Sequence, residues 1–312
     1  MRKRLLGTTG VEISELSLGT WGLSGDGYGS IVEAEVDRTI EAAVSHGITL
    51  FETADVYGAG AMEKKLGERL PKGTVFVATK IGTDVVSKPP RKRFEPQYLE
   101  ESLERSADRL KRQVDIVLLH NPSLDAVNAG EACGFLREQK NVGKVRLWGV
   151  SAGSVDVARA AIEKGAEVIE LVYNLLLPGD LHALAGDIAE RGTGVFARSV
   201  LAHGLLAGHW TAHREFYAGD HRADRWTREE LRIRTTQVEP LRDLASKYVL
   251  TLRAAAVRFA LANDLVSTAV LGPRSVAQLE QLLREAGSTP PYLRDTMLAE
   301  LSTRLDSLGI AL

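Results

Sequence analysis

The fold is decided by Phe51-Glu52-Thr53-Ala54-Asp55-Val56-Tyr57-Gly58, where an apolar run that begins at Ile48 stops at a carboxylate and leads into a loop. Two further apolar runs, rich in β-branched residues, stop in the same way at Lys80 and at His120. Runs of this kind predict buried strands. If the strands are parallel, their carboxyl ends lie together, so the three runs predict one site with several ionisable side chains.

Short apolar runs alternate with amphipathic segments along nearly the whole chain. The candidate strands are residues 17–19, 48–51, 75–80, 114–120, 145–151, 168–172, 195–198 and 267–271. The candidate helices are residues 33–45, 62–70, 98–110, 124–139, 155–164, 181–190, 252–263 and 276–284. This alternation predicts a (β/α)8 TIM barrel. A doubly wound sheet is the alternative, but Gly25-Asp26-Gly27-Tyr28-Gly29 lacks the spacing of its phosphate-binding turn.

Three predicted additions lie outside the repeat. Residues 5–14, with a turn at Thr8-Thr9-Gly10, predict an N-terminal hairpin cap at the bottom of the barrel. Residues 209–234 are polar and rich in His and Arg, and we interpret them as a long loop over the active site. Residues 290–312 contain a predicted helix with leucines along one side. Because no linker or change of composition divides the chain, we predict one domain over residues 1–312.

The composition is that of an ordinary soluble globular protein, with 44% hydrophobic and 26% charged residues. A net charge of −2 gives no reason to expect nucleic acid or an acidic membrane surface as a partner. The single cysteine, Cys133, excludes an internal disulfide and fits a reducing compartment. With neither a signal-peptide pattern nor a membrane-length apolar run, we expect a cytoplasmic protein. No metal site and no particular oligomeric state is predicted.

The ionisable residues at the predicted strand ends form a coherent catalytic set. The phenol of Tyr57 can protonate a carbonyl oxygen, although its ordinary pKa of about 10 is high for that task. A nearby Lys80 ammonium would lower this pKa, and the Glu52 carboxylate would hold the ammonium in place. His120 would orient the substrate or assist proton transfer. The set is suited to stabilising and protonating a developing alkoxide.

A series of short motifs runs in order along the chain. They are Leu6-Gly7-Thr8-Thr9-Gly10-Val11, Leu18-Gly19-Thr20-Trp21, Thr53-Ala54-Asp55-Val56-Tyr57-Gly58, Thr79-Lys80, Leu119-His120-Asn121-Pro122, Gly149-Val150-Ser151, Tyr173-Asn174-Leu175-Leu176, Gly204-Leu205-Leu206-Ala207-Gly208 and Val270-Leu271-Gly272-Pro273-Arg274. Together they resemble the aldo-keto reductase family over nearly the whole chain. The resemblance implies a (β/α)8 barrel, NADP(H) bound without a Rossmann domain, and hydride transfer to a carbonyl.

The resemblance also implies a role for each matching residue. Tyr57 would be the general acid, Lys80 would tune its pKa, and His120 would orient the substrate. Ser151 would hydrogen-bond the nicotinamide carboxamide, while Arg274 and Ser275 would approach the adenosine 2′-phosphate, which favours NADP(H). The other implied cofactor contacts are Gly19, Thr20, Trp21, Glu170, Arg198, Ser199, Leu201, Gly204, Leu205, Gly272 and Gln278.

Several residues around the nicotinamide depart from the family pattern. Glu52 stands where the family normally has Asp, and Glu170 stands where it usually has Gln. Ala152 occupies a position where Asn is common, and Arg198 one where an aromatic residue often stacks on the nicotinamide. We expect the charge of Glu170 to be offset by Arg198.

The leading interpretation is an NADP(H)-dependent oxidoreductase that reduces an aldehyde or ketone, with Tyr57 as proton donor. Trp21, residues 87–94 and residues 209–234 would contact the substrate. The polar last segment makes a sugar or sugar-nucleotide carbonyl or enoyl group a candidate. Two alternatives stay open: a nicotinamide-binding, reductase-like protein with weak or altered catalysis, and a lyase that forms a Schiff base through Lys80.

Overall fold

Strands and helices alternate from residue 16 onward in a computed structural model that describes residues 1–87 and 89–311. The strands are β1 (Lys3–Leu5), β2 (Glu12–Ser14), β3 (Leu16–Gly19), β4 (Leu50–Glu52), β5 (Phe76–Ile81), β6 (Thr83–Asp84), β7 (Arg91–Lys92), β8 (Val114–His120), β9 (Val145–Ser151), β10 (Val168–Val172), β11 (Gly194–Arg198) and β12 (Val266–Leu271). Eight of them, β3 to β5 and β8 to β12, pair in parallel and close into a barrel. This confirms the predicted (β/α)8 fold.

Helices follow the barrel strands on the outside. They are α1 (Glu33–Ser45), α2 (Ala61–Arg69), α3 (Pro96–Leu110), α4 (Leu124–Ala129), α5 (Glu131–Asn141), α6 (Val155–Glu163), α7 (Gly179–Ala183), α8 (Ala185–Arg191), α9 (Arg228–Lys247), α10 (Leu252–Ala262), α11 (Val276–Ala286) and α12 (Asp295–Ser307). Several begin at a Ser or Thr whose side chain accepts a backbone N–H of the first turn, as Ser154 does for α6 and Ser275 for α11. Within the described ranges, no helix has the length and apolar composition needed to cross a bilayer.

The hairpin of β1 and β2 closes the N-terminal end of the barrel, as the sequence predicts. Leu6 and Ile13 are fully buried and pack with inward-facing strand residues such as Ile116 and Phe196. Gly7 has a φ of +53°, and a Cβ there would lie 2.1 Å from the Gly192 carbonyl oxygen, so only glycine fits this approach. The barrel interior is therefore filled by apolar side chains at this end, and functional sites of such barrels lie at the other end, at the carboxyl ends of the strands.

Two predicted helices are each divided in the structure. The segment 124–139 is broken at Gly130, whose φ of +81° ends α4 and places α5 in a new direction. The segment 181–190 is divided at Leu184, between α7 and α8. In both places the apolar spacing continues across the break, so the helical periodicity alone does not locate it.

The prediction of a loop over residues 209–234 is wrong for its last part, because α9 begins at Arg228. Thr227 and Glu230 form a capping box, in which each side chain accepts the backbone N–H of the other residue. This Thr-x-x-Glu signal is present in the sequence. Pro240, which lies inside α9, is a residue that ordinarily ends a helix and obscures the pattern.

Three loops stand over the carboxyl ends of the barrel strands. The loop after β3 and the long loop after β11 are joined by an antiparallel bridge between Tyr28 and Asp220. The third, after β5, contains the β6–β7 hairpin, where Thr83 pairs with Lys92. This hairpin overlaps the segment 87–94 that the sequence assigned to substrate binding; Lys88, like Leu312 at the end of the predicted domain, lies outside the described residues.

Candidate active site

Lys80 is the centre of the candidate site and lies on β5, only 2% exposed. Its ammonium donates to the Thr53 carbonyl oxygen at 3.1 Å and to the Tyr57 hydroxyl oxygen at 3.2 Å. It also forms an ion pair with Glu52 Oε1. The three N–H groups of the ammonium therefore have three acceptors. A second carboxylate follows close by, with Glu170 Oε2 at 3.7 Å from the nitrogen.

The Glu52 side chain, which is one methylene longer than that of aspartate, reaches Lys80 because the neighbouring strand β3 leaves space for it. Glu52 ends β4 and pairs with Gly19 at the end of β3. A Cβ on Gly19 would lie 3.0 Å from Glu52 Oε2 and 2.7 Å from Val270 Cγ1. The Thr20 N–H donates to the Glu52 carbonyl oxygen at 3.0 Å, which joins the two strand ends. Glycine at position 19 thus serves the packing of the glutamate.

Tyr57 follows β4 in a short 3-10 turn, and its ring lies between two aromatic neighbours. The ring is nearly parallel to that of Trp21, with centroids 6.1 Å apart, and edge-on to that of His120 at 6.3 Å. Burial raises the pKa of Tyr57, and the charge of Glu170 raises it further. This direction is opposite to the lowering that we expected from Lys80, because desolvation of the phenolate is the larger effect. The phenol therefore keeps its proton at neutral pH.

The two basic groups of the site, Lys80 and His120, carry less positive charge than they would in water. Burial lowers the pKa of Lys80 to about 8, although the carboxylate of Glu170 opposes this shift. Burial, followed by the charge of Lys80, lowers the pKa of His120 well below its usual range. The imidazole is therefore neutral and carries one N–H. Lys92 of the β6–β7 hairpin donates to the His120 carbonyl oxygen at 2.7 Å and fixes this strand end.

Buried polar atoms without a hydrogen-bond partner in the described chain collect at this end of the barrel. They are Thr20 Oγ1, Thr53 Oγ1, His120 Nδ1, both Glu170 carboxylate oxygens and Arg198 Nε. Such atoms are costly unless a ligand or water satisfies them. They supply donors and acceptors on five different strand ends. A nicotinamide nucleotide, which carries amide and hydroxyl groups, fits this set.

The expected ion pair between Glu170 and Arg198 is not formed. Within residues 1–87 and 89–311, the ion pair of Glu170 is the one with Lys80. Arg198 ends β11 and turns its guanidinium toward β9, where Nη2 donates to the Ala152 carbonyl oxygen at 3.1 Å. Arg198 pairs with Val172 on the neighbouring strand β10. Glu170 lies two residues before Val172 on β10 and is therefore deeper in the barrel.

The remaining predicted cofactor residues lie on the loops that follow β9, β11 and β12. Ser151 ends β9 and pairs in register with both His120 and Glu170. After β11 come Ser199, with a φ of +57°, then Leu201, Gly204 and Leu205 in and beside the turn Ala202–Ala207. Gly272, Arg274, Ser275 and Gln278 surround the start of α11, where Gln278 Oε1 accepts the Arg274 N–H. All of them lie toward the carboxyl ends of the barrel strands, and their contact with a cofactor stays a prediction.

Arg274 has a structural role that the sequence does not show. Its guanidinium donates from Nε to Gly22 O at 3.2 Å and from Nη1 to Tyr28 O at 2.7 Å. Nη2 donates to Gly29 O at 2.9 Å and to Ser30 O at 2.8 Å. The side chain therefore anchors the loop after β3 to the end of β12.

We expect Arg274→Ala to release this loop and to lower the free energy of unfolding by about 2 kcal/mol, since several charge-assisted hydrogen bonds are lost together. Hydrogen exchange should become faster at residues 22–30. Arg284→Ala is the matched control, because Arg284 lies on α11, the helix that follows Arg274, and is 69% exposed. Unchanged exchange at residues 22–30 in the Arg274 variant would contradict the anchoring role.

Sequence reasoning missed a cluster of aromatic and imidazole rings above the site. Trp21 packs on His221 with centroids 4.4 Å apart, and the Tyr28 hydroxyl lies 3.2 Å from His203 Nδ1. Burial lowers the pKa of His203 to about 3 and that of His221 to about 4, so both rings are neutral. The density of His and Arg in the long loop was the available signal. The partners of these histidines, Trp21 and Tyr28, come from the loop after β3, and no sequence pattern connects the two loops.

Comparison with known proteins agrees with this geometry. The family model described as the aldo/keto reductase family matches residues 15–290. Aldo-keto reductase YhdN of Bacillus subtilis (strain 168) is 28% identical over 90% of this chain and 87% of its own length. The NADH-specific methylglyoxal reductase of Escherichia coli (strain K12) is 29% identical over 86% of this chain and 88% of its own.

The same similarity is found among solved structures. The glycerol dehydrogenase AKR11B4 from Gluconobacter oxydans superposes with a TM-score of 0.83 over 99% of this chain and 97% of its own. Its sequence identity is 24%, so the superposition supports the fold and not a substrate. It covers the capping hairpin and the C-terminal helices as well as the barrel.

Proposed function

The chain belongs to the aldo/keto reductase family and is an oxidoreductase, and from this we propose that it reduces an aldehyde or ketone with Tyr57 as the proton donor. The observation that carries the proposal is the contact of the Tyr57 hydroxyl with the Lys80 ammonium, beside buried polar atoms that have no hydrogen-bond partner among the described residues. A nicotinamide dinucleotide, when bound, supplies the hydride. Thr20, Ser151, Glu170 and the residues after β11 and β12 would hold it.

Tyr57 is suited to protonate the oxygen of the substrate. Its raised pKa keeps the phenol protonated, and an alkoxide is a stronger base than a phenolate, so the proton moves toward the substrate. As the phenolate forms, the Lys80 ammonium already donates to the same oxygen at 3.2 Å. A charge-assisted hydrogen bond of this kind becomes stronger as negative charge develops. Glu52 keeps the ammonium in place for this role.

His120 is the second donor toward the substrate oxygen. Its neutral ring carries one N–H and lies edge-on to Tyr57, and its Nδ1 has no hydrogen-bond partner among residues 1–87 and 89–311. A neutral donor can orient a carbonyl and still leave the carbonyl oxygen free to accept the proton of Tyr57. The substrate enters beneath Trp21, whose ring lies between Tyr57 and His221. A polar sugar carbonyl remains our candidate because the loop above the site contributes imidazole and guanidinium groups.

The proposed form of the cofactor is NADP(H), and this choice depends on Arg274. Four of its five guanidinium N–H groups are already donated to backbone carbonyls, so a 2′-phosphate can gain the fifth without releasing the loop. One relative is named NADH-specific. Dissociation constants for NADPH and NADH decide between the two forms: tighter NADH binding would overturn NADP(H) and leave hydride transfer untouched.

The Schiff-base alternative is disfavoured by the surroundings of Lys80. Its amine is 2% exposed, and all three of its N–H groups have acceptors, so no lone pair faces a substrate. Borohydride added with a candidate ketone would trap an adduct on Lys80 if the alternative were true. A cytoplasmic location stays a prediction from the sequence alone.

Hydride transfer itself is tested with a reduced cofactor deuterated at the transferable position. Mass spectrometry of the products from a panel of aldehydes and ketones, polyhydroxylated ones included, should show one deuterium on the carbinol carbon. Tight cofactor binding without any labelled product would refute the reductase and support the reductase-like binding protein.

We expect Glu52→Asp to retain or raise reductase activity, because aspartate keeps the charge that holds Lys80 and is the usual residue of the family. The measurement is kcat with the best substrate of the panel, compared with Glu167→Asp, which makes the same change beside β10. If Glu52→Asp abolishes activity while the fold persists, Glu52 has a role that depends on its length.

A further inference from the structure

Glu170 is a buried carboxylate whose negative charge has no part in the proposed proton transfer. Its side chain is 1% exposed, and neither oxygen has a hydrogen-bond donor in the part of the chain that the structure describes. Lys80 lies 3.7 Å away, but its three N–H groups are directed to Glu52, Thr53 and Tyr57. A buried carboxylate without a hydrogen-bond donor is expensive even beside a cation. A ligand that brings positive charge or N–H groups would offset this cost.

The strand register places this carboxylate inside the barrel and beside the predicted nicotinamide contact. Glu170 pairs with Ser151 on β9 and with Phe196 on β11. Paired residues of neighbouring strands point to the same face, and Phe196 belongs to the apolar cluster inside the barrel. Glu170 therefore faces the interior above that cluster, at the level of Ser151.

We propose that the Glu170 carboxylate stabilises the positive charge that a nicotinamide ring acquires when it gives up hydride, and so makes the bound cofactor a stronger hydride donor. The inference rests on the proposed function, because it requires a nicotinamide in the site. In the reaction, the carbonyl carbon gains hydride with its electron pair and the oxygen gains the Tyr57 proton. A nicotinamide ring that gave up hydride would change from neutral to singly positive, and this is the charge that the nearby Glu170 carboxylate would favour.

The other charges of the pocket do not cancel this effect. Lys80 and Glu52 form an ion pair, so their fields largely offset each other. Arg198 has the opposite sign and turns toward the Ala152 carbonyl. Its guanidinium should disfavour the oxidised ring. Removing the Arg198 charge should therefore change the affinity for the oxidised cofactor in the opposite direction to removing the Glu170 charge. A neutral amide at position 170, the usual residue of the family, can hold a carboxamide but supplies no field of this kind.

The test compares dissociation constants of the oxidised and reduced cofactor, obtained by calorimetry or fluorescence in the absence of substrate. We expect Glu170→Gln to weaken binding of the oxidised form relative to the reduced form at least tenfold, or about 1.4 kcal/mol. Arg198→Met should move the ratio the other way. Glu167→Gln, which removes a carboxylate just before the same strand, is the matched control and should leave the ratio unchanged.

A structural role of Glu170 would weaken both forms equally, so the ratio separates the two explanations. An unchanged ratio in Glu170→Gln, or a shift of the same sign in both pocket variants, would overturn the inference and leave the reductase intact. Failure of the wild-type protein to bind either form would instead refute the proposed function. Should Glu170→Gln not fold, the sign of the Arg198→Met shift still decides whether the pocket field acts on the ring.

Discussion

Tyr57→Phe is expected to lower kcat for carbonyl reduction by about 10²–10⁴-fold, the contribution of a positioned general acid. The substitution removes the hydroxyl to which Lys80 donates and keeps the ring that packs on Trp21 and His120. Because the lost interaction grows only as the alkoxide forms, kcat should fall far more than the affinity for cofactor. Single-turnover reduction with saturating cofactor measures the chemical step directly.

Tyr28→Phe is the control for this experiment. Tyr28 is also a tyrosine at the mouth of the barrel, but its hydroxyl lies 3.2 Å from His203 rather than beside Lys80. Its loss should change KM through the loop and leave the chemical step nearly intact. A Tyr57→Phe enzyme that still reduces its substrate at close to the wild-type kcat would show that another group donates the proton.

The barrel strands were the most predictable part of the molecule. The bounds of β8, β9 and β10 agree with the sequence prediction at both ends, because each is an apolar run between polar residues. The strand β4 begins two residues later than predicted. Thr49 exchanges hydrogen bonds with Ser14 of the capping hairpin, while its carbonyl oxygen accepts the Phe76 N–H of β5 at 2.7 Å, so this part of the run is shared between the hairpin and the barrel. Local composition does not reveal such sharing.

The positions of the candidate site were predictable, and its contacts were less so. Strand ends carry Glu52, Lys80 and His120 to one place, which the alternation of strands and helices already implies. The partners of Glu170 and Arg274 depend on where neighbouring strands and loops turn their side chains. Arg274 was assigned to a phosphate because guanidinium groups bind phosphate well. Four backbone carbonyls of a distant loop are equally good acceptors, and only the three-dimensional structure shows them.

Lys80→Met is expected to lower the free energy of unfolding by about 3–5 kcal/mol, because it leaves a buried carboxylate without its cation. Glu52 loses its ion pair, and Glu170 loses the cation at 3.7 Å. Both side chains are almost completely buried, at 4% and 1% exposed, so water cannot replace the ammonium cheaply. Activity should fall with stability, since the Tyr57 oxygen loses its charged donor. Denaturant unfolding of the purified variants measures the first effect.

Lys65→Met is the matched control, because Lys65 lies outside the barrel and pairs with the exposed Glu33 and the partly exposed Asp37. Surface ion pairs contribute about 0–1 kcal/mol, so this variant should remain close to wild type. Adding Glu52→Gln to Lys80→Met removes one of the two carboxylates that have lost their cation and should restore part of the lost stability. The recovery should stay incomplete, because Glu170 is still unpaired, and Glu170→Gln in the same background should add to it. If Lys80→Met were no more destabilising than Lys65→Met, the two carboxylates would not depend on this lysine. The electrostatic account of the pocket would then be wrong.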